Sequence, residues 1–113
     1  MQTILLQDLG ESILDKYQVK LVAKAARDLD GIYGYIAREL KERGTAEKLV
    51  DLLEEAVLSL SEMPYRGVIR KFGAYASKGY RQIFVKNFII VYRIDESSKT
   101  VIIVAVRYSP SNF

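Results

Sequence analysis

The stretch from Gly79 to Tyr108, GYRQIFVKNFIIVYRIDESSKTVIIVAVRY, decides the fold of this chain. It contains three runs of β-branched and aromatic residues, GYRQIFV, FIIVYRI and TVIIVAVRY. The first break between them is the pair Lys86 and Asn87, and the second is the polar segment DESSK. Runs of this kind with short polar breaks are typical of strands joined by hairpins. The stretch therefore predicts a three-stranded antiparallel meander.

Upstream of the meander, the apolar pattern predicts one strand and two helices. Residues 16–22 alternate between apolar and polar side chains, which indicates a half-buried strand. Apolar residues then recur at spacings of three and four over residues 23–40 and again over residues 49–63. That period is typical of amphipathic α-helices. Pro64 is expected to end the second helix, because its ring lacks an amide donor and clashes with the preceding turn.

The two helices are separated by very few residues. Gly44 is expected to cap the end of the first helix and Thr45 the start of the second. Helices joined by so short a connection fold back as a hairpin, and their joint apolar face needs a sheet to cover. The predicted fold class is α+β: an N-terminal strand, a two-helix antiparallel hairpin and a three-stranded antiparallel meander, with the helices packed on one face of the sheet.

The length of 113 residues favours one domain, which we place at residues 16–113. The first fifteen residues are predicted to form an N-terminal extension. Leu5, Leu9 and Ile13 are spaced as on one side of a short helix, although a disordered tail fits the same residues.

The chain contains neither cysteine nor histidine. Disulfides, cysteine nucleophiles and the usual zinc ligands are therefore excluded, and so is the commonest general base at neutral pH. We predict no cofactor and no metal site. No apolar run approaches the roughly 20 residues that span a bilayer, and the start lacks a basic signal-peptide region. The predicted location is the cytoplasm, with no membrane partner.

Charge is divided unevenly along the chain. Residues 1–63 contain 8 Lys and Arg against 12 Asp and Glu, a net charge of −4, whereas residues 64–113 contain 9 against 2, a net charge of +7. A basic half of this kind favours a phosphate backbone or an acidic protein as partner. The alternative is a chance scatter of solvated cations.

Residues 64–78 show no apolar period and are predicted to form an irregular loop. Cations and aromatic residues are interleaved within it: Tyr65, Arg66, Arg70, Lys71, Phe72, Tyr75 and Lys78. Irregular stretches of this length are uncommon in small domains and are often functional. The loop could equally be a cover whose aromatic side chains close the rim of the core.

The strand register predicts two basic corners on the meander. If the two-residue break is a tight turn, Arg81 lies opposite Tyr92 and the third strand returns beside the turn. The corners then consist of Lys86, Arg107 and Tyr108 at the turn end, and of Arg81 and Arg93 at the other end. Either corner could bind phosphate, because guanidinium groups grip phosphate oxygens in pairs. For Arg93 a surface ion pair with Asp95 is favoured over phosphate binding, because surface pairing of this kind is common.

In this order of elements the sequence resembles the RelE/ParE superfamily of bacterial toxins, which includes plasmid stabilisation proteins. Residues 25–37, AARDLDGIYGYIA, are similar to the first-helix pattern of that family, Ala-x-x-Asp-Leu-x-x-Ile-x-x-Tyr-Ile. The strings GYR at residues 79–81 and NFIIVYRI at residues 87–94 resemble its meander. The closing VRY at residues 106–108 stands where members often have Val-x-His. The resemblance covers about residues 16–108.

The resemblance implies a toxin of a type II toxin–antitoxin pair that forms a hetero-oligomer with an acidic antitoxin. The RelE-like branch cuts mRNA on the ribosome, whereas the ParE-like branch inhibits DNA gyrase. Two positions depart from the nuclease pattern: Ile89 stands at an expected arginine, and Tyr108 with Ser109 stands near an expected histidine. The phenol of Tyr108 would be a weak base at neutral pH, so the sequence supports a nuclease even less. Gyrase is therefore the favoured target, ahead of a metal-independent mRNA endoribonuclease and of a diverged antitoxin-binding module without toxicity.

The candidate residues follow from the basic corners and the loop. If the chain is a nuclease, the candidates for catalysis are Arg81, Arg107 and Tyr108, with transition-state charge met by the cations. The candidates for contact with nucleic acid or a protein partner are Arg70, Lys71, Lys78, Arg81, Lys86, Arg93 and Arg107.

Overall fold

The computed structural model describes residues 16–39 and 43–109. The predicted N-terminal extension, residues 1–15, lies outside these ranges. In chain order the elements are β1 (Gln18–Leu21), α1 (Ala23–Glu39), α2 (Arg43–Ser59), a 3-10 helix (Pro64–Arg66), β2 (Val68–Ile69), β3 (Arg81–Val85), β4 (Phe88–Asp95) and β5 (Thr100–Tyr108).

The strands form one five-stranded sheet in the order β1-β5-β4-β3-β2. The predicted meander is confirmed: Arg81 lies opposite Tyr92 across the turn, and β5 returns antiparallel to β4. The Ser109 amide donates to the Asn87 carbonyl at 2.7 Å, which holds the end of β5 beside the turn. The N-terminal strand β1 joins the sheet next to β5 and runs parallel to it. The predicted α+β fold class is confirmed.

Two details of the fold differ from the sequence predictions. Helix α2 begins at Arg43, so Gly44 and Thr45 lie inside its first turn and not between the two helices. The loop predicted for residues 64–78 contains the short strand β2, in which Val68 pairs with Gln82. A strand of two residues carries too little alternation to be seen in a sequence.

Both helices cover one face of the sheet, which we call the helix-side face. The apolar stripes of α1 and α2 meet alternate residues of β3, β4 and β5 there, because successive strand side chains point to opposite faces. The shared core consists of Ala25, Leu29, Leu53, Val57, Leu60, Ile83, Phe88, Ile90, Tyr92, Val101, Ile103 and Val106. The prediction of helices on one face is confirmed.

The opposite side, which we call the outer face, carries a second and smaller apolar cluster. It consists of Ile89, Val91, Val104 and Ala105, with Tyr75, Tyr80 and Ile102 packed against it. The loop after β2 therefore covers part of the outer face, as the alternative interpretation of the loop expected.

A β-bulge interrupts β5. Val91 lies opposite Ala105 and Tyr92 lies opposite Ile103, so Val104 has no residue directly across from it. Val104 and the adjacent Ala105 both belong to the outer cluster. A bulge inserts one residue into one strand of a pair and so shifts the alternation of side chains after it.

Tyr92 joins the 3-10 helix to the sheet. Its side chain is fully buried, and its hydroxyl donates to the Pro64 carbonyl at 2.7 Å and accepts from the Gly67 amide at 3.0 Å. Burial raises the pKa of this phenol. A β-carbon at Gly67 would come within 2.4 Å of the Tyr92 hydroxyl oxygen, so the close approach of the chain requires glycine.

Candidate functional site

The three candidate catalytic side chains do not meet. Arg81 lies opposite Tyr92, which belongs to the helix-side core, and therefore points to the helix-side face. Arg107 lies opposite Ile89, a member of the outer cluster, and therefore points to the outer face. Tyr108 lies opposite Phe88 and contacts its ring at 5.4 Å between centroids, at the turn end of the helix-side face.

Arg81 is engaged within the fold at the end of the sheet far from the turn. Its Nη1 donates to the Gly67 carbonyl at 2.7 Å, and its guanidinium stacks over the Tyr65 ring at 4.9 Å. Its predicted neighbour Arg93 is on the adjacent strand but points to the outer face. Strand alternation thus divides each predicted basic corner between the two faces of the sheet, a division that the predicted corners did not include.

The predicted ion pair between Arg93 and Asp95 is wrong. Among the described residues, Arg93 forms no salt bridge within 4.0 Å. The Asp95 carboxylate instead accepts bonds from the Ser97 amide at 3.1 Å and the Ser97 hydroxyl at 2.7 Å. Hydrogen bonds from Ser97 and then Ser98 lower the pKa of Asp95. Arg93 remains an exposed cation on the outer face.

Arg70 is a structural residue of the loop and not an exposed contact. Only 3% of its surface is accessible, and burial lowers the pKa of its guanidinium. Its side chain donates to the Ala74 carbonyl at 2.8 Å, the Gln82 amide oxygen at 2.8 Å and the Phe72 carbonyl at 3.3 Å. These bonds fix the loop over the outer face. The other predicted loop and turn cations, Lys71, Lys78 and Lys86, are exposed.

A groove that sequence reasoning missed runs between α1 and the end of β5. It has a volume of about 620 Å³ and is lined by Arg27, Asp28, Gly31, Ile32, Tyr35, Ile36, Phe88, Val106, Arg107 and Tyr108. Strand β1 pairs with β5 only up to Ile103, so the edge of β5 beyond that point faces the groove. The one signal in the sequence is the position of Tyr35 along α1. Its spacing from the apolar stripe places the ring on the side of the helix that is otherwise polar.

Asp28 supports the wall of this groove. Its Oδ2 accepts a hydrogen bond from the Val106 amide at 3.0 Å and forms an ion pair with the Lys24 ammonium at 2.9 Å. The side chain thereby satisfies a backbone donor on the unpaired edge of β5, which would otherwise face the groove without a partner.

A second feature missed by sequence reasoning is an exposed polar cluster around Glu96, which we call the Glu96 cluster. The carboxylate accepts bonds from the hydroxyls of Tyr17 and Tyr65 and from the Lys99 ammonium at 3.0 Å; the Tyr17 bonds measure 2.9 and 3.0 Å. These donors, Tyr65 first, lower the pKa of Glu96 to about 2. The same bond to Glu96 raises the pKa of Tyr65. The residues come from three distant segments, so no sequence spacing reveals them.

Neither a metal site nor a membrane span is found in the described ranges. No group of three or more Asp, Glu, His or Cys residues there could hold a metal ion. No helix within residues 16–39 or 43–109 is long and apolar enough to cross a membrane.

The sequence matches the family model for the ParE toxin of type II toxin–antitoxin systems, parDE, over residues 19–112. No curated protein matches the chain by sequence.

Solved structures of toxin–antitoxin proteins are similar to this fold. The chromosomal ParDE toxin–antitoxin system from P. aeruginosa shares 25% sequence identity with a TM-score of 0.68, over 83% of this chain and 97% of that chain. The RelBE toxin–antitoxin complex from Mycobacterium tuberculosis shares 22% identity with a TM-score of 0.61, over 82% and 98%. A YoeB/ParE toxin from Agrobacterium tumefaciens shares 15% identity with a TM-score of 0.55, over 80% and 96%. The last two likenesses concern the fold alone.

Proposed function

Because this chain belongs to the family of ParE toxins of type II toxin–antitoxin systems, we propose that it arrests growth by binding and poisoning DNA gyrase in the cytoplasm. One observation carries the choice of target: Arg81, Arg107 and Tyr108 do not face a common point. Catalysis of phosphate cleavage requires the acid, the base and the charge-stabilising groups around one reacting atom. A toxin that acts by binding has no such requirement.

The test is to induce the full chain in a growing bacterium and to follow DNA and mRNA together. Poisoned gyrase predicts double-strand breaks that carry covalently bound gyrase, with mRNA intact by primer extension. A matched strain that carries a stop codon at Gln18 is the control. Codon-positioned mRNA cuts without gyrase-linked breaks would replace this proposal with the ribosome-dependent nuclease. Growth without arrest would leave a diverged module that only binds an antitoxin.

We further propose that an antitoxin binds in the groove between α1 and β5. The P. aeruginosa and M. tuberculosis relatives are toxin–antitoxin assemblies. The groove is mostly apolar, and Arg27 lines it beside the exposed ring of Tyr35, so an acidic amphipathic segment fits it.

Substitution of Tyr35 tests this second proposal. The ring is 59% exposed, so Tyr35→Ala should weaken capture of the protein encoded by the adjacent reading frame at least about tenfold, as loss of an aromatic anchor does. Leu58→Ala, at a residue 64% exposed on α2, is the matched control and should bind normally. Equal binding by both variants would place the antitoxin elsewhere.

A further inference from the structure

The groove between α1 and β5 has an apolar floor, and its carboxylate is neutralised from within the fold. The aliphatic and aromatic residues of its floor include Ile32, Ile36, Phe88 and Val106. Asp28 is already engaged by Lys24 and by the Val106 amide. Arg27 is exposed on the groove wall and forms no salt bridge within 4.0 Å to any described residue. The groove therefore suits an apolar segment that carries negative charge.

The approach to this groove along β1 is basic and has an open strand edge. Residues 16–27 contain four cations and no carboxylate. Strand β1 is the outermost strand of the sheet beside β5. The Gln18 and Val22 amides donate to carbonyls of β5, so by alternation the backbone groups of Val19 and Leu21 point away from the sheet. An unpaired strand edge of this kind offers hydrogen bonds to a further segment of chain.

Residues 1–15, MQTILLQDLGESILD, have the complementary composition. They contain three carboxylates, no Lys or Arg, and six leucine and isoleucine residues. Their side-chain charge of −3 stands against a charge of +4 on residues 16–27. The apolar content favours burial, and the charge favours burial beside cations.

The length of this segment is sufficient to reach the groove. It joins the fold at Lys16, two residues before Gln18, which lies opposite Thr100. The groove is reached at Val106, so about eight residues of strand, or roughly 26 Å, separate it from Lys16. Eight residues of extended chain cover that distance. The apolar run at residues 4–6 is therefore within reach of the groove.

A second depression, between α1 and α2, suits the segment less well. Its volume is about 390 Å³, and Asp30 and Glu54 line it together with Leu21 and Tyr33. Carboxylates on both sides would repel each other. Charge, and not apolar area alone, therefore separates the two depressions.

We propose that residues 1–15 return along the free edge of β1 and occupy the groove between α1 and β5. The apolar run at residues 4–6 fills the groove, and the carboxylates of the segment lie along the cations of residues 16–27. An antitoxin that binds in this groove must displace the segment, so its apparent affinity is reduced by the fraction of molecules in which the groove is open. This consequence rests on the proposed antitoxin site, whereas occupancy of the groove does not.

Introduced cysteines test the position of the segment in the full-length chain, because the sequence contains no cysteine. Leu5→Cys is combined with Tyr35→Cys in the groove or, as the matched control, with Leu58→Cys on α2. The two partner positions are 59% and 64% exposed. Leu58 is also near the attachment point, since the Tyr17 amide donates to the Ser61 carbonyl at 2.7 Å. A segment without a preferred site would therefore react at least as fast at position 58.

Under a mild oxidant, the pair at positions 5 and 35 should form an intramolecular disulfide at least about tenfold faster than the pair at positions 5 and 58, because occupancy raises the effective concentration of the thiol. Non-reducing electrophoresis at low protein concentration measures both rates. Each rate is divided by that at which the lone cysteine at position 35 or 58 reacts with a small soluble disulfide.

Polar substitutions in the segment show whether its apolar run is responsible. Ile4→Ser with Leu6→Ser, added to the pair at positions 5 and 35, should slow the crosslink about tenfold, because the serines have no apolar surface to bury. Gln2→Ser with Gln7→Ser is the control and should leave the rate unchanged. Circular dichroism should show a folded chain in every case.

Three results would overturn the proposal. These are equal or faster crosslinking at position 58, an unchanged rate after the Ile4→Ser and Leu6→Ser substitutions, and a disulfide that joins two molecules, which would indicate a second copy in the groove.

Capture of the protein encoded by the adjacent reading frame separates this proposal from the antitoxin site. A cysteine-free chain with Ile4→Ser and Leu6→Ser should bind that protein about tenfold more tightly than the unaltered chain, since its groove is open. If the crosslink forms as expected but capture is unchanged, the segment occupies the groove and the antitoxin site lies elsewhere.

Discussion

Two polar networks hold residues 64–67 against the sheet, and they differ in burial. In one, the buried hydroxyl of Tyr92 bonds the Pro64 carbonyl and the Gly67 amide. In the other, the exposed Glu96 carboxylate gathers Tyr65, Tyr17 and Lys99. The exposed network has more bonds, but water can replace each of them, whereas nothing replaces a buried partner. Burial, and not the number of bonds, should decide how much each network stabilises the fold.

The largest loss is expected from Gly67→Ala. The added β-carbon would lie 2.4 Å from the Tyr92 hydroxyl and 2.7 Å from the Gln82 carbonyl, so the segment would have to move away from the sheet. Such overpacking costs about 3 kcal/mol in free energy of unfolding, measurable by urea titration. Gly31→Ala is the control, because nothing lies within 4 Å of its added carbon. If both variants unfold at the same urea concentration, Gly67 is not closely packed.

A smaller loss is expected from Tyr92→Phe. The change keeps the ring but leaves the Gly67 amide and the Pro64 carbonyl buried without their partner. Unsatisfied buried groups cost about 1–3 kcal/mol. Tyr33→Phe is the comparison, since the Tyr33 side chain has no hydrogen bond to any described residue. If Tyr92→Phe were as stable as Tyr33→Phe, the buried hydrogen bonds of Tyr92 would not stabilise the fold as proposed.

Glu96→Gln should destabilise the chain less than Tyr92→Phe, and the loss should depend on pH. The Glu96 pKa is about 2 in the fold against an ordinary 4.5. Its stabilisation is therefore fully present above pH 4.5 and is lost as the pH falls through about 2. Thermal midpoints of wild type and variant should differ at pH 6 and converge toward pH 2. A constant difference across that range would show that the charge of Glu96 is not responsible.

The smallest effect on stability is expected from Tyr65→Phe. The ring keeps its stacking on Arg81, but the carboxylate loses the donor that contributes most to its lowered pKa. The Glu96 pKa should therefore rise toward its ordinary value, as carboxyl-carbon NMR titration can show. An unchanged pKa would assign the effect to Lys99 and Tyr17.

The sequence was sufficient for features set by neighbouring residues. The tight turn at Lys86 and Asn87 determined the register of β3 and β4, and the run of β-branched residues determined β5. The sequence did not predict which residues from distant segments contact each other. Tyr17, Tyr65 and Glu96 meet only because β1 begins beside the β4–β5 turn and the 3-10 helix lies next to it. The faces of the arginines were also missed. Alternation from Tyr92 to Arg93 separates Arg93 from Arg81, whereas the bulge at Val104 reverses the face that alternation predicts for Arg107.

The bulge at Val104 determines to which face of the sheet the side chains at the end of β5 point. Counted in strict alternation from Val101, Arg107 would turn toward the helices and Tyr108 away from them. The extra residue reverses that parity, so the guanidinium reaches the outer face while the phenol remains beside Phe88. A chain one residue shorter at this point would have nearly the same composition. Its guanidinium, however, would point to the helix-side face and its phenol to the outer face.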